Sequence, residues 1–196
     1  LGRKSNAPQR KDEITWALYE CLAKSGHEKV TVKEIARQAS LAPGIIHYYF
    51  KSKDEIASTL AETILEKYSS LIAKNIADAN SPEEKIDKSI DFIVDNMIFS
   101  KPINRVFYNM LQMGYERDEL GDLFKKMFGR YRNFLKNMFE ELGAGKESDN
   151  LATLLITLTE GYSVQVMIDP STFNRKTVHR MITITVKDHL ARVSSI

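Results

Sequence analysis

Between Thr31 and Lys53 the chain reads TVKEIARQASLAPGIIHYYFKSK, a run whose side chains suit reading a duplex rather than breaking a bond. His47 can hydrogen-bond a purine edge, Ile45 can pack on a thymine methyl, and Gly44 lets backbone come close to a base pair. Tyrosine hydroxyls and lysine ammoniums, here Tyr48, Tyr49, Lys51 and Lys53, suit phosphate oxygens, which position a protein without reading sequence. Catalytic chemistry has no comparable signal. The sequence has no Glu-x-x-His pair, HExxH, G-x-S-x-G or P-loop. His27, His47, His179 and His189 are scattered, and Cys21 is alone, which excludes a disulfide framework and a zinc site on paired cysteines. No catalytic residue, cofactor or metal ligand is assigned, and the chain is not read as an enzyme.

Two short helices joined by a tight turn must carry these side chains. Thr31 followed by Glu34 is a capping box, and Val32, Ile35, Ala36 and Ala39 give the first of them an apolar face. Ser40, Leu41 and Ala42 form the connection. Pro43, with fixed φ and no N–H, opens the second helix, which runs to about Tyr49. This is helix-turn-helix geometry, in which the second helix enters the major groove and the first braces it. Ile46 and Phe50 then face the core, leaving Pro43, Gly44, His47 and Tyr48 towards the groove or its rims, with Ile45 between.

Around this unit helical spacing continues throughout, so the fold class is all-α, with about nine helices. The first helix spans about 10–25, with Ile14, Ala17, Leu18, Cys21 and Leu22 on one face. Ser52 and Glu55 form a second capping box and open a long helix towards Ala79. Ser81-Pro82 starts a helix to about residue 100, and Lys101-Pro102 interrupts it. Gly114 permits another break, a long helix follows over about 118–142, and the last two cover about 149–168 and 175–193. Residues 1–55 are expected to form a DNA-binding domain and 56–196 a larger ligand-binding and dimerisation domain.

The charge distribution agrees. Residues 1–53 hold ten Lys and Arg against five Asp and Glu, whereas the remainder holds 18 against 21, within a formal net charge of +2. A basic head favours an anionic partner, nucleic acid ahead of a membrane surface. The 43% hydrophobic and 28% charged residues suit a globular core. Apolar runs do not approach the roughly 20 residues of a membrane span, and the polar start lacks a signal peptide, so a cytoplasmic protein without membrane contact is expected.

The register of Ile35-Ala36, Ala39, Leu41, Gly44, Ile46, Tyr49-Phe50, Lys53 and Ile56 closely resembles the DNA-binding signature of TetR-family repressors, over about residues 10–60. The run PGIIHYYF is most similar to betaine-type regulators within that family. The resemblance implies a homodimeric transcriptional regulator, usually a repressor, that leaves double-stranded operator DNA when a small molecule occupies its C-terminal helical domain. Carried onto matching positions, it implies phosphate contacts from Thr31, Lys33, Tyr48, Tyr49 and Lys53, and base contacts from Pro43, Gly44 and His47. Arg3 and Lys4 are expected to act as a minor-groove or phosphate arm. Two positions depart from the family pattern. Ala42 stands where Ser or Thr is common and removes a side-chain N-cap worth about 1 kcal/mol, and His47 stands where Tyr is usual.

In the C-terminal part, seven of nine Phe and five of seven Met fall between Phe92 and Phe139, soft side chains that build a core and can line a pocket for an apolar or amphipathic effector. Phe107, Met110, Tyr131, Phe134 and Tyr162 are the expected wall. The penultimate helix, LATLLITLTEGYSVQVMI, is apolar around its circumference and must be buried on several sides. Leu155, Thr159, Tyr162 and Val166 are expected at an isologous dimer interface.

Overall fold

The computed structural model describes residues 7–193; Arg3 and Lys4 lie outside them. Among the described residues the chain forms α1 (Ala7–Lys24), α2 (Val32–Gln38), α3 (Pro43–Tyr49), α4 (Lys53–Ile76), α5 (Pro82–Ile93), α6 (Lys101–Glu116), α7 (Asp118–Glu141), α8 (Ser148–Ile168) and α9 (Arg175–Val193), with short 3-10 turns at His27–Lys29 and Gly145–Glu147 and no strand.

Local chemistry accounts for most of these boundaries. The capping box of α2 is complete: the Thr31 hydroxyl accepts from the Glu34 N–H at 3.2 Å, and the Glu34 carboxylate accepts from the Thr31 N–H at 3.0 Å. The end of α2 is set by Ser40, whose φ of 57° is left-handed, while the Leu41 N–H reaches back to the Ala36 carbonyl at 2.8 Å in the manner of a Schellman cap. Pro43 then starts α3, and Ala42 offers no side-chain cap. At α4 the Ser52 hydroxyl accepts from the Glu55 N–H at 3.1 Å, but the Glu55 carboxylate takes the Lys51 N–H at 2.6 Å. The reciprocal half of that box is displaced by one residue.

Two interruptions differ from expectation. The helix from Pro82 does not stay α-helical to residue 100: a π turn occupies Val94–Ile98, with the Phe99 N–H on the Val94 carbonyl at 3.2 Å. Gly114 does not break α6, which continues to Glu116. Its role is packing, because a Cβ at Gly114 would stand 2.6 Å from Phe124 Cδ2, and one at Gly121 would stand 3.0 Å from the Gly114 carbonyl oxygen. Paired glycines let α6 and α7 approach.

Packing groups the chain into two compact units that are each discontinuous in sequence. The first takes the chain up to Glu66 with Arg105–Met127, and the second takes Lys67–Asn104 with Phe128 onward. In the first, Ile14, Leu18, Ile35, Ile46, Phe50, Ile56 and Leu60 share a core with Val106, Met110, Met113, Leu120 and Phe124. In the second, Ile86, Ile90 and Ile93 pack with Leu135, Phe139, Leu151, Leu155, Val178, Ile182 and Val186. Residues 145–168 do form one helical stretch long and apolar enough to cross a membrane, contrary to the run-by-run expectation. Leu151, Ala152 and Leu155 along it are buried in the second core.

Candidate nucleic-acid interface

Helix α3 divides its side chains as a groove-reading helix must. Ile46 and Phe50 are 1% and 2% exposed and anchor it, whereas Tyr48 is 81% exposed and Ile45 is 41% exposed. Pro43, Gly44 and His47 are exposed as well. A Cβ added at Gly44 would meet nothing within 4 Å, so no close approach among the described residues requires that glycine. Tyr49 is half-buried and meets Tyr48 edge-on, ring centroids 4.9 Å apart. Arg10 of α1 joins Leu41, Ile45, Tyr48 and Tyr49 around a shallow groove beside α3.

The expected phosphate contacts are less uniform. Lys33, like Lys51, is exposed, and Thr31 is exposed while its hydroxyl caps α2. Lys53 is engaged inside the head: its Nζ donates to the carbonyls of His27 and Val30, both at 3.0 Å. The His27 carbonyl already accepts from the Val30 N–H at 3.2 Å, which closes the 3-10 turn, and the lysine at the start of α4 adds a charged donor to it and to the Val30 carbonyl. Lys53 therefore also holds the turn, with one ammonium proton left over for a phosphate oxygen.

Side chains of α6 hold the same turn. Asn109 accepts from the His27 N–H at 2.7 Å and donates to the carbonyls of Leu22 and Ser25 at 3.0 and 3.2 Å. Arg105 donates to the Ala23 carbonyl at 3.3 Å, and just beyond α6 Arg117 pairs with Asp54 of α4. Thus α6 caps the C-terminal end of α1. Sequence reasoning missed these residues, since each bridges a long separation and sits in no motif.

The expected effector-wall residues divide between the units. Met110 is buried in the first core, where Phe107 is half-buried and edge-on to Tyr108. Tyr131, Phe134 and Tyr162 pack against the second core. The Tyr131 hydroxyl is buried without a hydrogen-bond partner among the described residues, and burial together with the Glu160 charge pushes its pKa up. Glu160, absent from the sequence reading, is largely buried on α8, and desolvation raises its carboxyl to about 7.

Of the expected dimer residues, Leu155, Thr159 and Val166 are 0%, 1% and 9% exposed within the single subunit, and the Thr159 hydroxyl donates to the Leu155 carbonyl at 2.8 Å. They face the subunit's own core. Tyr162 is half-buried with its ring edge-on to Phe173. The exposed stripe of α8 is instead Thr153, Thr157, Gly161, Gln165 and Ile168, and α9 exposes Met181 and Ile184.

Residues 14–60 match the bacterial regulatory proteins of the tetR family, and residues 82–192 match the C-terminal domain of BetI-type transcriptional repressors. The HTH-type transcriptional regulator PksA of Bacillus subtilis is 23% identical over 186 residues, covering 93% of this chain and 90% of PksA. Among solved structures, a putative transcriptional regulator from Pseudomonas aeruginosa PAO1 superposes with a TM-score of 0.84 at 17% identity, covering 96% of this chain and 93% of that one. A putative transcriptional regulator from Saccharomonospora viridis in complex with choline gives 0.81 at 15% identity, covering 92% and 96%. With an exposed α3 on a buried anchor and matches spanning both parts of the chain, this protein belongs to the TetR family of helix-turn-helix transcriptional regulators, with a C-terminal part of the BetI repressor type.

Proposed function

We propose that the protein is a homodimeric repressor that binds a near-palindromic operator with one α3 per subunit in successive major grooves, and that a small amphipathic effector releases it. The observation that carries this reading is the exposed face of Pro43, Gly44, Ile45, His47 and Tyr48 over buried Ile46 and Phe50. In this reading Pro43, Gly44, Ile45 and His47 meet bases, while Lys33, Tyr48, Tyr49 and the Thr31 hydroxyl meet phosphates. Two recognition helices must then stand about 34–36 Å apart or at another separation matching the helical repeat. The effector acts by preferring the released arrangement, and about 5.5 kcal/mol of preference converts a 1:99 population into 99:1. It works where its operator is, in the cytoplasm.

A positively charged head on an apolar body describes the effector best. The similar Saccharomonospora viridis protein was solved with choline, and in this chain Glu160 supplies a largely buried carboxyl near the Tyr131 hydroxyl in an aromatic-rich unit. A cation seated there stabilises the carboxylate and meets ring faces. Selection of bound duplexes from a random pool tests the DNA half: a symmetric site with two half-sites is expected, and recovery of no preferred duplex refutes it. Release of that duplex by choline-like cations but not by isosteric neutral alcohols tests the effector half.

A further inference from the structure

We propose that His27, Glu28 and Glu116 bind one divalent transition-metal ion of the zinc class, tying the turn after α1 to the last residue of α6. Their donor atoms all lie within 4.8 Å of one another. The His27 side chain is 9% exposed, and its Nε2 stands 3.4 Å from Glu116 Oε1. That separation exceeds the usual N–H···O range of about 2.7–3.2 Å. It matches the edge, about 3.3 Å, of a tetrahedron built with metal–ligand bonds of about 2.05 Å.

The imidazole is presented from a fixed segment. The His27 N–H is held by Asn109 at 2.7 Å and its carbonyl by Lys53 at 3.0 Å, so contacts from α6 and α4 fix the main chain that carries the buried ligand. Both carboxylates are exposed and leave an entry path. One imidazole with two carboxylates selects first-row transition ions over Mg²⁺ and Ca²⁺, which take oxygen ligands. Three protein ligands leave the fourth tetrahedral position to water, and a doubly charged ion offsets the two carboxylates beside a neutral imidazole. All three ligands belong to the first compact unit, so the ion reinforces the hold that Asn109 already gives α6 on the end of α1. The regulatory consequence rests on the DNA-binding reading: an ion that binds one arrangement of α6 and the head favours that arrangement and its operator affinity.

Titration of the tag-free full chain with Co²⁺, without DNA, tests the site. One Co²⁺ per chain is expected, with the strong visible absorption of a four-coordinate centre and displacement by equimolar Zn²⁺. Affinity should fall at least tenfold in Glu116→Gln and be abolished in His27→Gln, whereas His179→Gln, a change at the imidazole beside Asp91, leaves the stoichiometry unchanged. Because Glu116 is exposed, circular dichroism should show Glu116→Gln folded even if His27→Gln is not. Absence of the cobalt bands, or bands that survive Glu116→Gln at undiminished affinity, overturns the proposal. In a second titration, operator affinity that shifts with Zn²⁺ in the wild type but not in Glu116→Gln supports the regulatory role, and an unshifted wild type overturns that role alone. Failure to bind any duplex counts against the DNA reading and leaves the cobalt result standing.

Discussion

At the scale of single residues, His47 and Lys53 separate two roles that their positions in one short segment run together. His47 is exposed on α3, so His47→Ala should change preference among operator bases and leave thermal stability within about 0.5 kcal/mol. Lys53→Ala removes two charge-assisted hydrogen bonds to the His27 and Val30 carbonyls, and a loss of about 1–3 kcal/mol in the unfolding free energy is expected. Urea denaturation and competition binding on both variants check the contrast; a stable Lys53→Ala protein with a flattened salt dependence would return that lysine to the phosphates. Glu160 makes a separate prediction. The unfolded chain ionises this carboxyl near 4.5 and the folded protein near 7, so the native state keeps a proton that the unfolded state has released. Its contribution is most favourable below about 4.5 and is lost as pH rises to about 7, on the order of 3 kcal/mol in all. Glu160→Gln should therefore gain stability relative to wild type between pH 5 and pH 8, as read by denaturant unfolding at both values.

At the scale of elements, the glycines distinguish what was legible from what was not. Caps and helix starts could be read because Thr31 with Glu34, Ser81 with Pro82, and Pro43 act within a few residues of themselves, and the structure places helix ends beside them. Gly114 could not be read in the same way. Its meaning depends on Phe124 and Gly121 across the α6–α7 turn, and a lone glycine in a helical pattern is as consistent with a break as with a close approach. The same limit hid Asn109, whose partners at the end of α1 lie more than eighty residues away. It also hid that Leu155, Thr159 and Val166 are buried in the subunit's own core, since a helix apolar on all sides does not declare which side that core takes. Gly114→Ala puts a methyl group into the buried Phe124 ring and should cost about 1–3 kcal/mol. Gly129→Ala on α7, with nothing within 4 Å of the new Cβ, should gain about 0.5–1 kcal/mol from helix propensity. Thermal unfolding of the pair checks whether packing or propensity governs each position; equal effects would show that α6 and α7 do not need the glycine contact.

At the scale of the whole molecule, the proposed repressor depends on association, because on that reading a single α3 meets only half of a palindrome. The exposed stripe of α8 contains Gly161, whose Cβ position is open, and a helix-interior glycine costs about 0.8–1 kcal/mol relative to alanine. No close approach among the described residues offsets that cost. On α9, Met181 and Ile184 are 42% and 47% exposed, and Ile168 at the end of α8 is 72% exposed, which are the apolar anchors a second copy would cover. Stable association requires about 1,200–2,000 Å² of buried surface, more than one helix face supplies, so both helices must take part. Met181→Glu combined with Ile184→Glu should convert the dimer to a monomer in sedimentation velocity without lowering subunit stability by more than about 1 kcal/mol, since neither side chain is in the core. Leu155→Ala should do the opposite, costing about 2–5 kcal/mol of folding free energy while any folded fraction remains dimeric. The charged double variant should retain half-site contacts yet lose preference for the full palindrome over one half-site. If it stays dimeric, the partner must be held by another face, and the spacing of the two recognition helices would have to be derived from that face instead.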